Sequence, residues 1–194
     1  MCNNYGVTVS WIDYLDGLAA QGLRLTVPDG VPNLAPHESL WPTDRAPILR
    51  PGGAPGEVEL VQMRWGFRPP HAKAGPIINL RSEGRRFTRG RCLVPASWFF
   101  EFTGTRSPKS KWRFTRTGAP WFCIAGLWRP AEEAFPESFT LLTLEPGPDV
   151  ARLHHRQIAI LEPAQWADWL DPRVPSETLL APSPEGSLTA VQIR

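Results

Sequence analysis

Hydrophobic positions in this chain fall mostly in short runs of near-alternating register, separated by proline and glycine, so strands are predicted more often than helices. Glu57-Val58-Glu59-Leu60-Val61-Gln62-Met63 alternates and runs on into Arg64-Trp65-Gly66-Phe67. Further strands are expected at Arg91 to Phe102, Lys111 to Thr115, Trp121 to Trp128, Phe139 to Leu144, Gln157 to Leu161 and Thr189 to Ile193. Helical spacing occurs twice. Ser10 stands as an N-cap before Trp11, Tyr14, Leu15 and Leu18, with Gly22 as the stop, and Pro163 opens a short helix that ends before Asp171-Pro172. Between Pro28 and Pro55 seven prolines leave only short apolar pieces such as Pro47-Ile48-Leu49, which reads as loops and edge strands. Helices do not alternate regularly with strands, so a doubly wound parallel sheet is excluded. The expected fold is α+β: one domain over 1–194, with a mixed, partly closed, barrel-like sheet flanked by short helices.

Composition narrows the class of function. At 194 residues and 42% hydrophobic content the chain suits one core, and 21 Lys+Arg against 19 Asp+Glu leave a net charge of only +2. Any attraction to an anionic partner must therefore be local. Cys2, Cys92 and Cys123 are isolated, with no Cys/His spacing for zinc, so neither a disulfide framework nor a metal site is expected. The first apolar stretch carries Asp13 and Asp16 and lacks a basic leader, and no run has the length of a membrane span. A reducing, cytoplasmic compartment is expected.

Four stretches place a polar group beside an apolar strand. Cys2 follows the initiator methionine directly, so loss of Met1 leaves an α-amine and a thiol on one residue, with ordinary pKa values of about 8 and about 8.5. Asn79 and Arg81, two apart, share a strand face and offer an amide and a guanidinium fork that fits a phosphate or carboxylate. Glu101 lies among Trp98, Phe99, Phe100 and Phe102, and either faces solvent or sits in a pocket with a raised pKa. His154 and His155 are adjacent and in a strand would point to opposite faces, so at most one joins a site. Arg81, Arg85, Arg86, Arg89 and Arg91 form a local basic patch, which reads either as a solvated loop or as a rim for a nucleic-acid backbone. Arg64-Trp65-Gly66-Phe67-Arg68 interleaves cations with aromatics in the manner of single-strand binding surfaces.

At these residues the sequence resembles the SRAP family, the SOS response-associated peptidase or abasic-site processing proteins. Its opening Met-Cys appears as Met1-Cys2, and Asn-x-Ala-Pro as Asn33 to Pro36. Arg-Trp-Gly is Arg64 to Gly66, and Asn-x-Arg-Ser-Glu is Asn79 to Glu83. The strand around Glu101 is Arg91 to Phe102, Ala-Gly-Leu-Trp is Ala125 to Trp128, and His-x-Arg is His154 to Arg156. The resemblance implies that Cys2 is the nucleophile, Asn79 positions the N-terminus, Glu101 transfers protons and assists release of Met1, and His154 assists at the sugar. It further implies that Arg81 holds flanking phosphate, with Arg64, Arg85 and Arg86 on the DNA-binding rim, and that Trp65, Gly66 and Phe67 wedge against bases. The chain departs from the family at Asn3 and Asn4, where a glycine and a DNA-contacting basic residue are usual, and at Trp98, Phe100 and Phe102, which should narrow the pocket around Glu101. Gln157 and Ile158 replace a Met-Pro pair behind His154.

The function so implied is covalent capture of abasic sites in single-stranded DNA as a thiazolidine, by a monomer without cofactor, metal or membrane partner, acting at the nucleoid in the cytoplasm. Two rival readings stand beside it, a noncovalent single-stranded DNA-binding module and a cysteine peptidase or amidase acting on peptides.

Overall fold

The computed structural model describes residues 2–194. Its elements follow the alternation closely. In chain order they are β1 (Tyr5–Val7), α1 (Trp11–Ala19), β2 (Arg24–Thr26), β3 (His37–Leu40), β4 (Arg45–Pro51), β5 (Glu57–Trp65) and β6 (Asn79–Arg81). After these come β7 (Arg91–Ala96), β8 (Trp98–Thr103), β9 (Ser110–Arg116), β10 (Phe122–Arg129) and β11 (Ser138–Leu144). The chain continues through α2 (Pro148–Ala151), β12 (Gln157–Ile158), β13 (Ile160–Leu161), α3 (Trp166–Leu170) and β14 (Leu188–Gln192). Ser10 caps α1 as its side chain predicts: Asp13 N–H donates to Ser10 Oγ at 3.2 Å and Ser10 N–H returns to Asp13 Oδ2 at 3.0 Å. Among the described residues no helix is long and apolar enough to cross a membrane.

Two sheets result. A five-stranded sheet runs β14-β9-β8-β1-β3, and a nine-stranded one follows the path β12-β11-β10-β7-β4-β5-β2, with β13 and β6 attached to β10 and β11. In the larger sheet β5 returns to pair in parallel with β11 at Ser138↔Arg64 and Phe139↔Trp65, which draws β11, β10, β7, β4 and β5 into a partial ring short of a closed barrel. The α+β, barrel-like expectation holds.

Three boundaries differ from the alternation. The run Arg91 to Phe102 is two strands, because Ser97 leaves the first ladder: its N–H donates to Gly6 O at 2.8 Å and its hydroxyl accepts from Thr8 N–H at 3.0 Å. β7 therefore belongs to the larger sheet and β8 to the smaller. Gln157 to Leu161 likewise divides at Ala159 into β12, on β11, and β13, on β10. Pro47-Ile48-Leu49 is not at an edge, since β4 lies between β5 and β7. Its ladder to β7 is confined to Leu49↔Leu93, which spares the prolines from a hydrogen-bonding duty they cannot perform.

The core fills the space between the sheets. Tyr5 meets Trp65 edge to face at 5.1 Å and Phe99 stacks on Phe114 at 4.8 Å. All six residues of β7 are buried, as expected for a strand with neighbours on both edges and α3 packed against it.

Candidate active site

The N-terminal residues are pinned where the two sheets meet. Asn4 is buried, its Nδ2 donating to Ser39 Oγ at 2.6 Å and to Leu40 O at 2.9 Å, while Phe100 N–H donates to Asn4 O at 2.9 Å. The position expected to contact DNA thus carries an anchor between β3 and β8. Cys2 is held by two bonds: its Sγ–H donates to Asn4 O at 3.4 Å, and Asn79 Nδ2 donates to Cys2 O at 2.7 Å. Asn79 and Arg81 share a face of β6, with Asn79 inward and Arg81 at the exposed rim. Burial pushes the Cys2 thiol up to about 12, with the nearby Glu101 carboxylate adding to the shift. An enclosure of this kind disfavours the thiolate in the chain that still carries Met1.

Glu101 points inward from β8 and is 2% exposed. Of its two readings the structure selects the buried one, with the pKa raised. Its Oε2 lies 3.5 Å from His154 Nε2, and burial raises its pKa from 4.5 to about 7. Burial lowers the pKa of His154, which keeps the ring neutral near pH 7. The ring is fixed by the Arg156 backbone, whose N–H and carbonyl lie 3.1 and 2.9 Å from Nδ1. His154 and His155 are not in a strand. Their rings stack at 4.6 Å, because the chain turns there before β12 begins. His154 faces Glu101, whereas His155 is exposed.

A clamp not foreseen from the sequence supports this pair. Arg156 is buried and bonds Glu83 bidentately, with Nη2 to Oε2 at 2.9 Å, and it donates also to Thr143 Oγ1 at 3.2 Å. The clamp ties the end of the Asn79 motif to the end of the His154 motif, so two segments far apart in sequence present their functional groups to one space. The available signal was that the two motifs close on opposite charges. Among the described residues no group of three or more His, Cys, Asp or Glu side chains is arranged to hold a metal ion.

The basic rim divides. Arg81, Arg85 and Arg86 are exposed, and the last two line a pocket of about 560 Å³ floored by Leu144, Leu180 and Pro182. Arg91 is excluded from the rim: at 3% exposure it donates to the carbonyls of Phe87, Trp169, Asp171 and Val174, a structural role that joins β7 to the C-terminal turns. Arg64 donates to Gly66 O at 2.8 Å and lies over Phe135. Trp65 and Phe67, expected to stack on bases, are buried here, and the Trp65 indole N–H donates to Ile78 O at 3.1 Å. Gly66 holds φ at +112°, and a Cβ there would lie 2.8 Å from Pro76, so this glycine serves the backbone path beside β6. Trp98, Phe100 and Phe102 lie on the face of β8 opposite Glu101 and do not narrow its pocket.

With this geometry in hand, residues 1–194 match the family model described as SOS response associated peptidase, SRAP. The chain belongs to the SRAP family. An abasic site processing protein of Bacillus subtilis, YoaM, is 29% identical over 154 residues, 69% of this chain and 68% of that protein. The yeast abasic site processing protein YMR114C is 26% identical over 150 residues, 69% of this chain and 39% of that longer protein. Crystal structures of a Bordetella bronchiseptica protein (TM-score 0.75, 22% identity, both chains covered in full) and a Bacteroides thetaiotaomicron protein (TM-score 0.71, 20% identity, 100% of this chain and 92% of that one) share the fold. In this SRAP chain, then, Cys2, Asn79, Glu101 and His154 occupy one enclosed site of the family fold.

Proposed function

We propose that this protein processes abasic sites in single-stranded DNA by capturing them covalently on Cys2 after removal of Met1. The observation that carries the reading is the convergence of Cys2, Asn79, Glu101 and His154, drawn from four separate segments, around a carboxyl that titrates near neutrality. Hydrolysis of the Met1–Cys2 peptide adds one water, releases methionine and frees the Cys2 α-amine. The ring-opened abasic sugar offers an aldehyde. The amine nitrogen attacks its carbon, and protonated Glu101 donates to the hydroxyl that leaves as water, giving an iminium that keeps one N–H. Ionised Glu101 then accepts the thiol proton while sulfur adds to the iminium carbon, which leaves the nitrogen neutral and closes a five-membered thiazolidine.

A thiol with a pKa of about 12 is a poor nucleophile without such a base, and a carboxyl near 7 supplies both the acid and the base form at working pH. Asn79 fixes the Cys2 carbonyl, hence the direction in which its amine points, and neutral His154 holds the Glu101 carboxyl. Arg81 at the rim meets phosphate flanking the lesion, with Arg85 and Arg86 beyond it. The relatives named as abasic site processing proteins support the choice of substrate.

Intact mass spectrometry tests the proposal. The purified protein is expected to lack Met1 and, after incubation with a single-stranded oligonucleotide carrying one abasic site, to gain the oligonucleotide mass less one water. Cys2→Ala should show no adduct. Retention of Met1, or an adduct equally formed by Cys2→Ala, overturns it.

A further inference from the structure

β8 has two faces with different chemistry. Phe99 and Glu101 point inward, whereas Trp98, Phe100 and Phe102 point outward, where β9 pairs Arg113 with Phe100 and Lys111 with Phe102. The outward face is open at its margin, where Trp41 is 44% exposed and Val191 and Ile193 are each 47% exposed, and covered at Phe100, which is 5% exposed with Lys111 Nζ 3.7 Å over its ring. The main packing partners of the helices are β2 for α1, β7 for α3 and, at the sheet margin, β14 for α2.

Trp98 lies flat on this face. A Cβ on Gly6 would fall 2.2 Å from its indole nitrogen, so the ring rests directly on the β1 backbone, and its N–H is held by Glu38 O at 3.1 Å. Cations stand among the rings. The Arg113 guanidinium is 5.8 Å from the Trp98 centroid, Lys111 Nζ is 5.7 Å from Trp41 and 5.8 Å from Phe102, and the Arg194 guanidinium is 5.9 Å from Phe102. The five strands carry just two carboxylates, Glu38 and Glu101, and Glu101 faces the interior. Flat aromatic surfaces interleaved with cations and nearly free of acids are complementary to a flexible polyanion that bears planar bases.

We propose that the outward face of the five-stranded sheet is a noncovalent platform for undamaged single-stranded DNA, separate from the Cys2 site and reading stacking and charge rather than sequence. The choice of DNA rests on the function proposed above; the platform itself needs neither Cys2 nor an aldehyde. The flanking strand would be retained there while the lesion is processed on the other side of β8.

The test measures binding of a twenty-nucleotide oligothymidylate by fluorescence anisotropy across salt, using the full chain and the variants Trp98→Leu and Arg113→Gln. Thermal melting of each variant verifies the fold, and capture of a seven-nucleotide abasic oligonucleotide is followed in parallel. Trp98→Leu is expected to weaken oligothymidylate binding at least about fivefold. Arg113→Gln should reduce the slope of log affinity against log salt by about 0.7. Capture of the short oligonucleotide should be unchanged in both. Wild-type affinity and slope in both folded variants overturn the platform, as does a concentration-dependent dimer in sedimentation that these substitutions abolish, which would assign the face to self-association. Absence of capture by wild type counts against the proposed function and leaves the oligothymidylate comparison to decide the platform.

Discussion

Arg91 and Glu101 are ten residues apart in one apolar run, and both are almost wholly buried, yet the fold treats their charges in opposite ways. Arg91 is surrounded by four backbone carbonyls, with Nε to Phe87 O at 2.7 Å and Nη2 to Val174 O at 2.7 Å, so its charge is held by acceptors that cannot titrate. Glu101 instead faces a histidine ring at 3.5 Å across a space that keeps its pKa near 7. The first arrangement makes a buried charge a structural joint. The second leaves a proton able to come and go, which is what acid-base chemistry at neutral pH requires.

Removing Arg91 should produce the largest loss of stability. Arg91→Met leaves four carbonyls without their donor, and a loss of about 3–5 kcal/mol is expected in denaturant unfolding. A loss below about 1 kcal/mol would show that water satisfies those carbonyls and would break the contrast. Glu101 acts on pH dependence instead. Its folded pKa lies above the ordinary 4.5, so folding opposes its ionisation. Its contribution to stability is therefore fully present below pH 4.5 and is lost as pH rises through about 7, a change of about 3 kcal/mol. Glu101→Gln should abolish that slope in unfolding experiments between pH 4 and 8. The same variant should slow abasic-site capture by about 10²–10⁴ and remove an apparent pKa near 7 from the rate profile, read by quenched gel or mass assays. Capture at the wild-type rate would remove Glu101 from proton transfer.

A smaller effect is expected at the clamp. Glu83→Gln takes the bidentate partner from buried Arg156, and because the Glu83 side chain is 40% exposed to water the cost should be only about 1–2 kcal/mol in melting experiments. It should also loosen His154 and shift the pH profile of capture, which a purely local loss of stability would not do. Smallest is Arg81→Gln at the exposed rim. It should weaken binding of abasic and intact oligonucleotides alike, lowering the salt slope by about 0.7, with the capture rate at saturating DNA retained.

Much of this architecture was legible along the chain because strands and caps are written in local terms. Alternation located β5, β9, β10 and β11 to within a residue or two, and Ser10 marked the start of α1. Cys2, Asn79, Glu101 and His154 were each legible as chemically unusual residues in their own neighbourhoods. Their meeting was not, since it depends on Ser97 passing the chain from one sheet to the other and on Glu83 bonding Arg156 across 73 residues.

Burial was the other undetermined quantity. Arg81, Arg85 and Arg86 lie at the surface while Arg91 of the same cluster lies in the core, because β7 is central to its sheet and the end of α3 and the turn after it close over it. Trp65 and Phe67 follow the same rule. By itself, the sequence determined which segments form strands, where the first helix begins and which side chains are equipped for chemistry, all properties of neighbours along the chain. Tertiary structure alone decided which charges are enclosed, which thiol and carboxyl are shifted and which faces of β8 meet the site or the solvent, because desolvation depends on everything that packs around a group.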